Sequence, residues 1–495
     1  MRYILFLVII VFSAVSCNDW LDVRPDTEQK DEDQFSSVKG FFDALTGCYM
    51  SLANNDVYGE RLTMTNIESL ANLWNMPEDN TRYEDKDLTK HDYTTDYSKS
   101  AIKAVYGGLF YVIAQANMII KNADVREHVF TDESIRAVVQ GEAYALRAYC
   151  QLDVLRLFGQ LPRGASLQVS LPYSETTSIY EMPTYYDFDS YVVKLKDDLE
   201  KAEGLLKEND PVFAYTFKEL NGNADVNNDH LLYRQSRLNY WAVRALRARM
   251  HLYLGETADA YRVAKELIEA TGPGGDRVIA MSGSEDFKAG YKLCPSECLF
   301  YLSKYDVMAY STVFLIGGEA QTQYGTSHLA ITQGMLTNLY EGENIASHNR
   351  YVNCWNKRVQ DRFGQLAYVA VSKYYFSEDV KNKMLYYQLI PMLRMSEVYL
   401  IAMETSGNLP EVNGWYKDYM LAHDVPNSVD FTSLDAAREY MVKEYRREFF
   451  AEGQMFYTYK RTGTTTMLWR SEAVTESEYV LPLPQTEYNP NNLSK

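Results

Sequence analysis

From Ala137 to Phe158 the small or apolar residues Gly141, Ala145, Ala148, Leu152 and Leu155 recur every three or four positions. That spacing predicts a helix whose face is small at one end and bulky at the other, so that a second helix can approach it closely. Gly159 and then Pro162 are expected to stop it, the glycine in a left-handed cap. A second stripe, Leu238, Trp241, Ala245, Ala248 and Leu252, runs through 236–254; Gly255 breaks it, and Ala258, Tyr261, Ala264 and Ile268 begin another. The pattern predicts a helix-turn-helix pair. A third helix is expected from near Pro391, with Met392, Met395, Tyr399 and Ala402 on one side, ending at Gly407 and Pro410. A fourth is expected from about Leu434 to Tyr459, with Met441, Tyr445 and Phe449 inward and Glu439, Lys443 and Arg447 outward at pairing distance. The chain therefore reads as mainly α.

The helix-turn-helix pair is similar in its turn and small-residue spacing to a tetratricopeptide unit, although no clean repeat of roughly 34 residues runs along the chain. Arg237, Arg244 and Arg247 share its adjoining face and are expected to be solvated or paired with carboxylates. Two blocks lack such periodicity: 54–100 is rich in Asn, Asp, Thr and Tyr, and 272–377 in Gly, Ser, Tyr and short apolar runs. Long excursions of this kind are usually functional loops or small sheets.

At the N-terminus, Arg2 precedes a 14-residue, almost wholly apolar stretch, Tyr3 to Ser16, that ends at Cys17. It is too short for a stop-transfer helix, and the small residues Ala14 and Ser16 fit a secretory signal. Ser13-Ala14-Val15-Ser16-Cys17 is similar to a bacterial lipobox, in which the cysteine thiol is acylated and becomes the new N-terminus; an ordinary cleaved signal is the alternative. Residues 1–16 are then a signal peptide and 17–495 one domain, held to the membrane by lipid only. No second apolar run approaches the roughly 18 residues of a membrane span. The formal charge, 49 minus 67 or −18, argues against nucleic acid as a partner. Of six cysteines, five remain once Cys17 is acylated, so a full disulfide framework is excluded and most are expected to be buried thiols.

An enzyme finds little support. None of the seven histidines stands in a His-Glu-x-x-His frame, and neither a Gly-x-Ser-x-Gly elbow nor a phosphate loop occurs. No cofactor is expected. Asp225, Asn227 and Asp229 alternate like calcium-loop ligands, but His230 and Ser236 stand where the turn glycine and bidentate Glu belong, which favours a solvated loop. Cys294 and Cys298 lack a partner pair for zinc; a local disulfide is conceivable outside the cytoplasm.

Six stretches in order resemble the SusD/RagB family of nutrient-uptake outer-membrane lipoproteins. They are Cys17 to Pro25; Phe41, Ala44, Leu45, Gly47 and Tyr49; Ala116 to Ile120; Gly141 to Ala148 leading to Arg156 to Pro162; Leu393 to Leu400 with Tyr445 to Gly453; and Leu481 to Pro490. One departure is Met455 and Thr458, where the family usually carries an Arg and an Asp; both charges are missing together, as expected for loss of a paired set. The resemblance implies a SusD-like fold: a tetratricopeptide-like helical scaffold with irregular loops and small β excursions grafted on one side. It also implies a lipoprotein at the outer membrane, facing the cell exterior, that captures an oligomeric nutrient for a SusC-like TonB-dependent transporter. A glycan is the expected nutrient, a peptide the alternative. A protein-binding adaptor of tetratricopeptide type would explain the scaffold but not the aromatic loops.

The chain holds 41 Tyr, 6 Trp and 20 Phe, more aromatic surface than a helical core needs. Trp74, Tyr83, Tyr324 and Trp355 lie in the two irregular blocks without helical spacing. Family members tend to build their ligand surface from comparable regions, so these rings are expected to stack on the ligand, with Asn72, Asn80 and Arg350 donating hydrogen bonds. The other reading of Trp74 and Trp355 is as buried anchors that hold the loops down.

Overall fold

The computed structural model describes residues 31–76, 83–178, 181–281, 283–315, 329–360, 366–376 and 388–485. Cys17, Asn80 and Tyr324 lie outside them.

Polar residues cap most of the first helices. Ser37 accepts from Gly40 N–H at the start of α1 (Val38–Leu52), and Thr95 and Asp132 open α2 (Asp96–Val125) and α3 (Glu133–Phe158) in the same way. A hairpin, β1 (Leu171–Tyr173) with β2 (Thr184–Tyr186), leads into α4 (Phe188–Leu206). The expected helix-turn-helix pair is α5 (Tyr240–Leu254) and α6 (Thr257–Glu269), with Gly255 in the left-handed cap. Each of these helices packs on its neighbour in sequence, so the scaffold is a stack of helical pairs. A Cβ on Gly141 would meet Leu206 Cγ at 2.7 Å, which is why the small end of the α3 face receives α4. Gly159 caps α3 in extended backbone (φ −76°, ψ 168°), not the expected left-handed one; its Cβ position would lie 2.5 Å from Leu155 O. Arg244 and Arg247 pair with Glu203, and Arg237 donates to Thr46 Oγ1 at 3.2 Å.

After α6 come β3 (Cys298–Ser303), α7 (Gln333–Leu339), the hairpin β4 (Trp355–Gln360) with β5 (Leu366–Val371), and β6 (Leu389–Arg394). The chain then returns to helices: α8 (Met395–Thr405), α9 (Leu409–Ala422), α10 (Leu434–Glu448) and α11 (Met455–Thr462). Two expectations are corrected here. Residues 391–394 are strand, because all six residues of β6 are buried against β3 and a continuous apolar run carries no period that separates strand from helix. The fourth helix is two, since Ala451 (φ 62°) and Gly453 (φ 77°) leave helical backbone between them. Arg447, expected outward, is buried against Glu444 at 2.7 Å and Glu343 at 3.1 Å.

One continuous apolar core runs from Phe35 to Leu481. Met455 and Thr458 are both buried in it, Thr458 donating to Gln454 C=O at 3.1 Å, so neither position needs an ion pair. Cys48, Cys150, Cys294, Cys298 and Cys354 are buried free thiols, and Cys298 Sγ donates to Cys294 C=O at 3.5 Å. Among the described residues, no helix is long and apolar enough to cross a membrane.

Candidate functional site

Phe450, in the break between α10 and α11, receives Trp74 edge-on at 5.1 Å and Trp355 at 5.0 Å between ring centroids. Trp74 is 4% exposed and donates Nε1–H to Met64 C=O at 3.2 Å; Trp355 is 6% exposed and donates to the Tyr340 hydroxyl at 3.3 Å. The indoles expected on an open platform are thus buried anchors, because each ring gains more from packing on Phe450 than from water. Arg350 is corrected likewise: it is buried, ion-paired with Glu448 and in contact with His423, and offers no donor to a ligand. Asn72 has left-handed backbone (φ 55°) and gives its amide to Thr89 C=O at 2.9 Å. Tyr83 opens the short helix Tyr83–Thr89, and its side chain lies outside the described residues. Asp225, Asn227 and Asp229 lie in an exposed loop where Asn227 donates to Asp132 at 3.0 Å and Tyr215 donates to Asp225 C=O at 2.7 Å.

The two irregular blocks nevertheless meet. Asn75 N–H donates to Ala330 C=O at 2.9 Å, and the next residue, Ile331, exchanges two backbone hydrogen bonds with Val369 of β5. Beneath this seam Glu68, fully buried, accepts from the N–H groups of Ala451 at 2.9 Å and Gly453 at 3.0 Å. Burial pushes its carboxyl up to about 8, against the lowering effect of those two donors and of Lys373. Gly453 is obligatory: beyond its positive φ, a Cβ would lie 2.0 Å from Leu62 O. Next to it Arg394 bridges Glu448 at 2.7 Å, Glu297 at 2.8 Å and Glu452 at 2.9 Å, and Lys373 reaches Glu452 at 2.7 Å. Burial raises Glu448, yet Arg350 and Arg394 outweigh it and hold the carboxyl well below its usual range. The loops therefore rest on a rigid, charge-balanced floor.

Above that floor the structure exposes an aromatic the sequence reading missed. Trp469 is half-buried, sits in left-handed backbone (φ 67°), and donates Nε1–H to Asn338 Oδ1, an exposed amide near the end of α7, at 3.0 Å. A bulky residue at positive φ is a true outlier, and such strain collects where a side chain must be aimed. Met467, two residues earlier, touches the Asn72 amide at 3.8 Å. Two residues beyond Asn338, Tyr340 packs edge-on against the half-buried Tyr351 at 5.1 Å, and Lys357 Nζ lies 3.7 Å over the Tyr351 ring. Through Asn338 and the buried Tyr340 the Trp469 indole is linked to Tyr351 and Lys357, a strip of two part-exposed rings with an amide and an ammonium group beside them. Such a strip can stack on the apolar face of a sugar ring while the polar groups take its hydroxyls. The available signal was a Trp in a Thr-rich segment after the last helix.

Residues 19–216 match a family model described as SusD-like, starch-binding associating with outer membrane. The SusD-like protein P2 of Formosa agariphila is 25% identical over 163 residues, 32% of this chain and 30% of that protein; the match thus spans under a third of the relative's length. A crystal structure of a SusD superfamily protein from Bacteroides thetaiotaomicron superposes with a TM-score of 0.69 at 19% identity, covering 92% of this chain and 98% of the other. A laminarin-binding SusD-like protein superposes at 0.58 and 16% identity, covering 86% and 91%.

Proposed function

We propose that this chain, with its N-terminal match to a SusD-like family model and its SusD-like fold, acts as a SusD/RagB-type protein that binds an oligomeric glycan on the strip that starts at Trp469 and hands it to a TonB-dependent outer-membrane transporter. The observation that carries the reading is Trp469 itself: a part-exposed indole packed on the edge of the core and held by strained backbone beside the Asn338 amide. The starch-binding family description and the laminarin-binding neighbour support a glycan as the nutrient class. Acylation of Cys17 would tether the domain to the outer membrane, with the strip facing the cell exterior.

The test is calorimetric titration of the purified chain with maltoheptaose and laminariheptaose. Trp469→Ala is expected to weaken binding about fivefold or more, as loss of one stacked ring implies, without moving the melting temperature. Equal affinity of variant and wild type rejects the strip as the glycan site.

A further inference from the structure

Tyr233, like Trp469, is a bulky aromatic held in left-handed backbone, and its ring is the more open of the two. It lies in left-handed backbone (φ 54°, ψ 43°) and is 49% exposed. The turn is pinned from below. Tyr233 N–H donates to Leu220 C=O at 2.7 Å, and Tyr233 C=O accepts both the N–H and the hydroxyl of Ser236 at 2.8 Å. The next two residues are buried: Arg234 pairs with Asp210 at 2.9 Å and with Glu142, and Gln235 donates to Cys298 C=O at 2.7 Å. The turn is fixed firmly on the protein side and the ring's hydroxyl end lies over Gly222, where a Cβ would come within 3.1 Å of it, yet about half of the side chain stays in water, and strain of this kind collects where a side chain is aimed.

The ring stands at a cleft of about 420 Å³, lined also by Asp229, Arg237, Tyr301, Ser303 and Gln388. That volume is within the roughly 300–1,000 Å³ of small-ligand sites. Arg237 uses Nη2 on Thr46 and lies 5.0 Å over the Tyr49 ring, which fixes its plane, while its Nη1 has no hydrogen-bond partner. One guanidinium and one carboxylate balance each other, so the lining favours a neutral ligand. One open phenol ring, Tyr233, with the largely buried Tyr301, a hydroxyl, an amide and charges of both signs around it, matches a pyranose, which has an apolar C–H face and a rim of hydroxyls. The turn that carries Tyr233, and the strands β3 and β6 beside it, contribute nothing to the strip at Trp469.

We propose that this cleft is a second saccharide subsite, for a neutral pyranose of the same glycan class, a reading that rests on the glycan function proposed above. The experiment compares wild type, Tyr233→Ala, Tyr233→Phe, Gln388→Ala and Trp469→Ala by titration with maltoheptaose and laminariheptaose, and follows hydrogen exchange at 229–237 and 301–303. Tyr233→Ala and Gln388→Ala are expected to weaken binding about fivefold with unchanged melting temperature. Tyr233→Phe should retain binding, and the bound glycan should protect both segments. Glycan binding that Trp469→Ala weakens while Tyr233→Ala and Gln388→Ala leave it intact, with no protection at 229–237, overturns the second subsite and leaves the first. Loss in Tyr233→Ala with none in Trp469→Ala sustains the cleft and rejects the strip. Absence of binding by wild type to either glycan overturns both.

Discussion

A carboxyl group whose pKa stands at about 8 in the folded chain, against 4.5 for an ordinary Glu, ties stability to pH at one position, Glu68. Between those two values the folded chain holds a proton that the unfolded chain releases. The proton's stabilising contribution is therefore fully present below the unfolded value and is lost as pH rises through 8. Glu68→Gln cannot titrate, and its amide NH₂ must face one of the two N–H donors of the helix break. The variant is expected to be about 1–3 kcal/mol less stable at pH 5, with the gap to wild type narrowing toward pH 8.5 in urea melts. A gap that stays constant with pH would mean that Glu68 is ionised throughout. None of this was legible beforehand: Glu68 is one of 67 acidic residues, and only the approach of Leu62 and Gly453 makes it a cap.

At the scale of helices and strands, local periodicity was enough for α3 and for the α5–α6 pair, whose packing faces repeat within the segment itself. It failed where a distant residue decides the backbone. β6 is strand because β3 lies beside it, and the α10–α11 break exists because Glu68 caps it. The two indoles were placed in the right loops with both readings open, ligand platform or buried anchor, since sequence spacing does not reveal Phe450, which decides for the anchor. Trp74→Ala and Trp355→Ala are each expected to cost about 3–5 kcal/mol and to lower the melting temperature, with any weakening of glycan binding following from loosened loops. Calorimetric melts decide it: a change in affinity with an unchanged melting temperature would return these rings to the ligand surface.

For the whole molecule, tethering and partnership decide where binding is useful. Fatty-acid labelling in cells is expected to mark wild type and not Cys17→Ala; equal labelling of both would place the acyl chain elsewhere or deny it. Solubilisation in mild detergent is expected to bring down a large outer-membrane transporter with the chain, and recovery of the chain alone at every detergent strength would remove the delivery role. The backbone bond from Asn75 to Ala330 has a consequence for how such proteins diversify. It joins segments more than 250 positions apart, so an exchange with a relative that imports one segment and not the other leaves an amide and a carbonyl mismatched across the seam. A single crossover in the helical stack, which lies between the two segments, separates them; crossovers that yield a folded chimera then fall before the first block or after the second, and the two blocks are inherited as one cassette.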